Sequence, residues 1–224
     1  MGRLATMVGL AWLPLHSAGC TGAPMNGRSP LVWRVDNLDS IGGHALRVEG
    51  SPKVVETDRG KAVQFDGVDD GIEIPVLPLA GEREFTLEIV FRPDADGPAE
   101  QRFLHLQEDG SASRFLIETR IRPDGSWYLD TYIETELDQC TLVDPQRTHK
   151  AGAWHAAALS YDGRTMRHYV NGHEELSRDL KFRPLALGRT SIGMRINRVF
   201  WFKGAIATVR FTPRALPPAD LLRP

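Results

Sequence analysis

From Pro30 onward no long stretch of this chain repeats its apolar residues at helical spacing. Short apolar runs alternate instead with turn residues, and that pattern excludes helical bundles and parallel α/β folds. The clearest run is 85–91. Phe85, Leu87, Ile89 and Phe91 share one face, Thr86, Glu88 and Val90 the other, and Pro93 and Gly97 close the run. Segments 31–33, 62–65, 72–74, 103–107, 114–121, 127–133, 156–161, 166–171 and 205–211 read as further strands. Asp66-Gly67, Asp109-Gly110, Asp124-Gly125 and Asp162-Gly163 supply turns, and 218–222 is a final helical turn. The expectation is an all-β antiparallel sandwich of two sheets.

The formal net charge of -2 offers no basic field for nucleic acid. Neither a phosphate-binding Gly-Lys-Ser/Thr loop nor a dinucleotide glycine fingerprint is present. The first residues differ from the rest. Arg3 precedes a mostly apolar run, 4–15, and then Ser17-Ala18-Gly19-Cys20. This reads as a signal peptide over 1–19. The run is shorter than the ~20 apolar residues of a membrane span. Ala18-Gly19-Cys20 resembles the end of a bacterial lipobox, with Ser17 where an aliphatic residue is usual. Two readings stay open: lipidation of Cys20 after cleavage, or a plain cleaved signal. Residues 20–30 read as a flexible tether and 31–224 as the folded domain. Only Cys20 and Cys140 exist, so no disulfide framework is expected. The expected place is outside the cytoplasm, periplasmic or at the cell surface, with membrane contact only through a lipid on Cys20.

The fragments Phe65-Asp66-Gly67-Val68-Asp69-Asp70, Trp154-His155, Tyr161-Asp162-Gly163 and Tyr169-Val170-Asn171-Gly172 recur in a recognisable order. With the 85–93 strand, the closing 202–210 run and Arg214-Ala215-Leu216, they resemble the laminin-G-like jelly-roll domains of the concanavalin A-like lectin and glucanase superfamily. The resemblance covers about 31–222. It implies a jelly roll with one concave sheet and places Trp154 inside the sandwich. It also implies a bacterial or extracellular setting, frequent glycan binding, and membership in a family where many domains are accessory modules. Fold alone does not fix function.

The strands 114–121 and 127–133 carry the candidate site. Phe115, Ile117, Thr119 and Ile121 share a face, as do Trp127, Leu129, Thr131 and Ile133. The opposite faces carry Arg114, Leu116, Glu118 and Arg120, and Tyr128, Asp130, Tyr132 and Glu134. Pro123-Asp124-Gly125 makes the two strands antiparallel neighbours. Tyr rings stack on pyranose faces, while Arg and carboxylates bond hydroxyls. Glu118, Arg120, Tyr128, Asp130 and Tyr132 are therefore the expected ligand-binding residues. The expected role is glycan binding without catalysis.

A polysaccharide hydrolase or lyase is the alternative, with Glu118 and Asp130 as the carboxylate pair and His105 as acid or base. A protein-interaction module is a second alternative. Glu134, Glu136 and Asp138 also alternate, but they depart from the glucanase Glu-x-Asp-x-Glu order and lie where the strand ends. His168 is expected to be partly buried and hydrogen-bonded, and no His pair has zinc-ligand spacing. No cofactor is expected; calcium is a candidate that is not favoured, since many relatives hold it between an early Asp and an Asp of the final strand. Asp39 matches the former, while 206–209 lacks the latter. Asp66, Asp69 and Asp70 read as turn residues.

Overall fold

A computed structural model of the chain describes residues 1–2 and 28–224. The expected signal sequence, Cys20 and most of the tether lie outside the described residues. The described chain forms eighteen strands. The first seven are β1 (Leu31–Arg34), β2 (Ser40–Ile41), β3 (His44–Ala45), β4 (Arg47–Glu49), β5 (Lys53–Thr57), β6 (Gly60–Asp66) and β7 (Gly71–Ile74). Then come β8 (Phe85–Pro93), β9 (Glu100–Glu108), β10 (Arg114–Ile121), β11 (Ser126–Glu134), β12 (Gln139–Val143) and β13 (His149–Lys150). The last are β14 (His155–Tyr161), β15 (Thr165–Val170), β16 (His173–Asp179), β17 (Gly188–Ile192) and β18 (Lys203–Thr212). Pro218–Asp220 is a single 3₁₀ turn.

Two eight-stranded sheets account for sixteen of these strands, and β2–β3 form a small hairpin. The first sheet runs β16-β15-β14-β8-β18-β6-β5, with β1 beside β18. The second runs β12-β11-β10-β9-β17-β7-β4, with β13 beside β11. All pairings within the two sheets are antiparallel, as the turn-punctuated sequence requires. The core lies between the sheets. Phe91 and Phe103, from opposite sheets, meet at 4.6 Å between ring centroids, and Phe103 meets Phe202 at 4.8 Å.

Alternation holds along β10 and β11. Phe115, Ile117, Thr119, Trp127, Leu129, Thr131 and Ile133 are buried toward the core. Along β8 both faces are buried. The outer face, which carries Thr86, Glu88 and Val90, is covered by the C-terminal segment. Leu216 and Leu221 pack with Ala158 and Tyr169, and Glu88 accepts hydrogen bonds from Arg210 and from the Leu222 amide at 2.7 Å.

One expectation fails. Trp154 is not inside the sandwich. Strand β14 begins at His155, and alternation then aims His155, Ala157, Leu159 and Tyr161 inward. Trp154 is half-buried on the outer side, against Ala62, Ala205 and Ala207, and its indole donates to Asp58 at 2.9 Å. His155 takes the interior place, its ring 5.0 Å from that of Trp127.

A β-bulge shapes β9. Ile117 pairs with Leu104, but Glu118 pairs with Arg102, so Phe103 is an extra residue. Phe103 and Leu104 both reach the core, while Arg102 and His105 both face outward.

Candidate functional site

The outer face of the second sheet holds the site. In the β10–β11 pair Glu118 stands opposite Asp130, Arg120 opposite Tyr128, and Leu116 opposite Tyr132. The bulge adds Arg102 beside Glu118, and β12 adds Thr141 opposite Tyr132. Arg195, from the loop between β17 and β18, completes a cavity of about 260 Å³. Its lining is Arg102, Arg114, Leu116, Glu118, Arg120, Asp130, Tyr132, Thr141 and Arg195.

The charges are tightly interlocked. Arg120 donates through Nε and Nη2 to Asp130 Oδ2 at 2.9 and 2.6 Å, and its Nη2 lies 3.3 Å from Glu118 Oε2. Arg102 Nε donates to the same Glu118 oxygen at 2.9 Å. Both carboxylates are almost wholly buried. Burial, and then the charge of Asp130, push Glu118 up to about 7, against the pull of Arg102 and Arg120. Burial also raises Asp130, with Arg120 opposing it. The pair thus holds a proton more firmly than exposed carboxylates do.

Tyr132 lines the cavity, and its hydroxyl is 2.8 Å from Glu134 and 2.6 Å from Gln139. The Arg114 guanidinium lies over its ring, 4.8 Å from the centroid. At most the opposite ring face is open to a sugar. Tyr128 shares the sheet face but does not line the cavity. His105 also faces outward, yet it lies beneath the 193–202 loop and outside the cavity. Its Nδ1 accepts the Ile196 amide at 3.1 Å, so its proton sits on Nε2 and no lone pair is free to act as a base. Burial, and then nearby arginines, hold it well below the usual histidine range.

A laminin G family profile of the concanavalin A-like lectin/glucanases superfamily matches residues 66–221, which include every lining residue of the cavity. The chain belongs to this family. No curated protein matches the sequence. Among solved structures, domain 4 of the extracellular arabinanase AbnA of Geobacillus stearothermophilus, solved with arabinotriose, superposes with a TM-score of 0.63 at 19% identity. That match covers 85% of this laminin-G-type chain and 94% of the arabinanase domain. The botulinum neurotoxin serotype D ligand-binding domain, solved with N-acetylneuraminic acid, gives a TM-score of 0.62 at 13% identity. That match covers 85% of this chain but 48% of the toxin domain, so the chain spans about half its length. At such identities the likeness is one of fold.

The other site expectations for this laminin-G-type domain resolve as follows. Glu134 ends β11, and Glu136 and Asp138 lie in the turn before β12, outside the cavity. Asp39 is exposed in a turn and joins no group of three candidate metal ligands among the described residues. The carboxylates that do converge are Asp66, Asp69 and Asp70. Asp66 Oδ1 accepts the amides of Val68, Asp69 and Asp70, and Asp70 accepts those of Ser51 and Asp66. These carboxylates organise a turn, as the sequence suggests.

Arg102, Thr141 and Arg195 are not among the residues expected from sequence. The bulge hides Arg102, and its only signal in the sequence is the adjacent Phe103-Leu104 pair. Arg195 sits in a loop, where alternation carries no information.

Proposed function

We propose that this domain binds a carbohydrate chain, without turning it over, in the cavity on the outer face of β10 and β11. The observation that carries the reading is the convergence of paired charged groups with one aromatic wall in a single cavity. Arginines and carboxylates there are pre-oriented by one another, so their remaining donors and acceptors meet sugar hydroxyls at small entropic cost. The family assignment supports it, and so does the likeness in fold to an arabinanase domain solved with arabinotriose. Binding without turnover is favoured because Arg120 hydrogen-bonds both carboxylates at once, which weakens either as a nucleophile.

One observation favours glycoside hydrolysis as a second reading. Glu118, buried and raised to about 7 beside a second carboxylate, has the character of a general acid. Asp130→Asn separates the two readings. In a binding module it weakens affinity modestly, because the amide keeps an acceptor. In a hydrolase it abolishes release of reducing ends while binding persists. Tyr132→Ala should weaken binding in either case. If neither substitution alters retention on any glycan that the wild type holds, the face is an ordinary solvated sheet surface.

We also propose that the domain works outside the cytoplasm, delivered by the N-terminal segment. Intact mass of the exported protein tests this. Loss of residues 1–19 is expected, and a thioether-lipid mass that vanishes in Cys20→Ser would establish anchoring.

A further inference from the structure

We infer that the ligand of this cavity is an anionic saccharide, carrying a carboxylate or sulfate that sits among Arg102, Arg114 and Arg195. This rests on the glycan reading of the site and names the chemistry of its ligand.

The arginines of the cavity are unequally paired. Arg120 is fully engaged: it serves Asp130, Glu118 and, through Nη1 at 2.6 Å, Glu100 at the rim. Around Arg195, three arginines keep unmet donors. Arg102 gives Nε to Glu118 and its Nη2 lies 3.6 Å from Glu100, but its Nη1 is buried without a partner. Arg114 pairs with Glu134 and donates to the Ala112 carbonyl at 2.8 Å, yet its Nε is buried without a partner. Arg195 lines the cavity and, among the described residues, forms no ion pair and donates no side-chain hydrogen bond. Burial, then the charges of Arg114 and Arg102, lower its proton affinity, with Glu118 and Glu134 opposing.

Glu118 and Glu134 each offset one of these guanidinium groups, and Arg195 is left without a counterion among the described residues. A buried donor without an acceptor is costly, and a carboxylate or sulfate supplies several acceptors to a fork of N–H groups. Phe200 covers the Arg102 guanidinium, 3.7 Å from ring centroid to Cζ, and Tyr132 lies beneath Arg114. These rings hold both arginines in place and shield them from water. A neutral sugar would use Glu118 and Asp130 but would leave the donors around Arg195 unmet.

The test is isothermal titration of the whole domain at about 0.15 M salt, where exposed charges are largely screened. Two pairs of probes are used: tetragalacturonate with its full methyl ester, and a sulfated galactan tetrasaccharide with its desulfated form. At least one acidic probe should bind about tenfold or more tightly than its neutral counterpart, as expected for a charge-assisted contact. Which pair shows the difference separates carboxylate from sulfate. Arg195→Gln should bring the acidic probe down to the affinity of its neutral partner, and Arg195→Lys should retain part of the difference. Neutral probes bound as tightly as acidic ones would overturn the inference and leave the glycan reading standing. An acidic preference that survives Arg195→Gln in a protein melting like the wild type would also overturn it. Binding of no probe at all would sink both. If Arg195→Gln does not fold, the wild-type comparison between acidic and neutral probes still decides.

Discussion

Glu118 and Asp130 face each other across adjacent antiparallel strands and share a single nitrogen of Arg120. Burial of two carboxylates side by side favours a proton on the pair, against the pull of Arg102 and Arg120.

This coupling has a stability signature. The folded-state value for Glu118 is about 7, above its ordinary 4.5. Between these values the folded state keeps a proton that the unfolded state releases, so this contribution is complete at low pH and is lost as pH rises toward 7. Glu118→Gln should flatten that decline. The wild type should lose up to roughly 3 kcal/mol more than the variant between pH 5 and 8, since each tenfold change in proton affinity is worth about 1.4 kcal/mol. Urea unfolding across that range measures it. Parallel pH profiles for the two proteins would refute the coupling.

His168 acts in the opposite direction. It is 1% exposed, with Nδ1 3.1 Å from the Thr131 hydroxyl, and burial lowers it from 6.5 to about 3. Between those values the unfolded state binds a proton and the folded state does not, so stability falls as pH drops below 6.5. His168→Gln should make the protein less acid-sensitive between pH 6.5 and 4, by about 1.4 kcal/mol per pH unit at the most. Unchanged acid sensitivity in matched denaturant melts would count against a neutral interior imidazole.

Two tryptophans should respond very differently to truncation. Trp127 is wholly buried against Phe91 and His155, and Trp127→Ala should cost about 3–5 kcal/mol. Trp154 rests half-buried on small residues outside the sandwich, and Trp154→Ala should cost roughly half as much or less. Equal losses would place Trp154 in the core after all.

Gly193 begins the loop that carries Arg195, at a φ of +81°, with the Phe65 ring where a side chain would stand. Gly193→Ala should destabilise by about 1–3 kcal/mol and displace the loop. The decisive readout is ligand affinity in protein that is still folded at low temperature, where the anionic probe should bind more weakly. Wild-type affinity would show that the loop does not set the position of Arg195.

The sandwich is legible in the sequence because its strands alternate and its turns carry Asp-Gly pairs. Glu118, Arg120, Asp130 and Tyr132 also come together on sequence grounds, since β10 and β11 are regular and joined by a tight turn. What stays concealed has physical causes. Resemblance alone assigns Trp154 inward, whereas the strand's own alternation, started at His155, sends it outward. Short strands such as β13 and β17 owe their form to tertiary pairing more than to local pattern. Tyr128 obeys alternation, yet the cavity follows the loop and not the strand, so correct register does not bring it into the lining.

The bulge at Phe103 has a consequence for how this surface tolerates change. Without Phe103, residues 101–106 would alternate strictly and still present Arg102 and His105 outward. The added residue instead leaves two backbone groups off the ladder: the Phe103 carbonyl accepts the Gly193 amide at 2.9 Å, and the Arg102 amide reaches the Phe200 carbonyl at 2.8 Å. Both tether the loop that bears Arg195. Most side-chain replacements at 103 leave these main-chain tethers in place, whereas deletion of one codon would remove them. The strand would remain a strand, the core would lose a phenyl ring, and the loop would come unmoored. Length at this position, more than residue identity, therefore governs whether a related chain keeps Arg195 at the cavity.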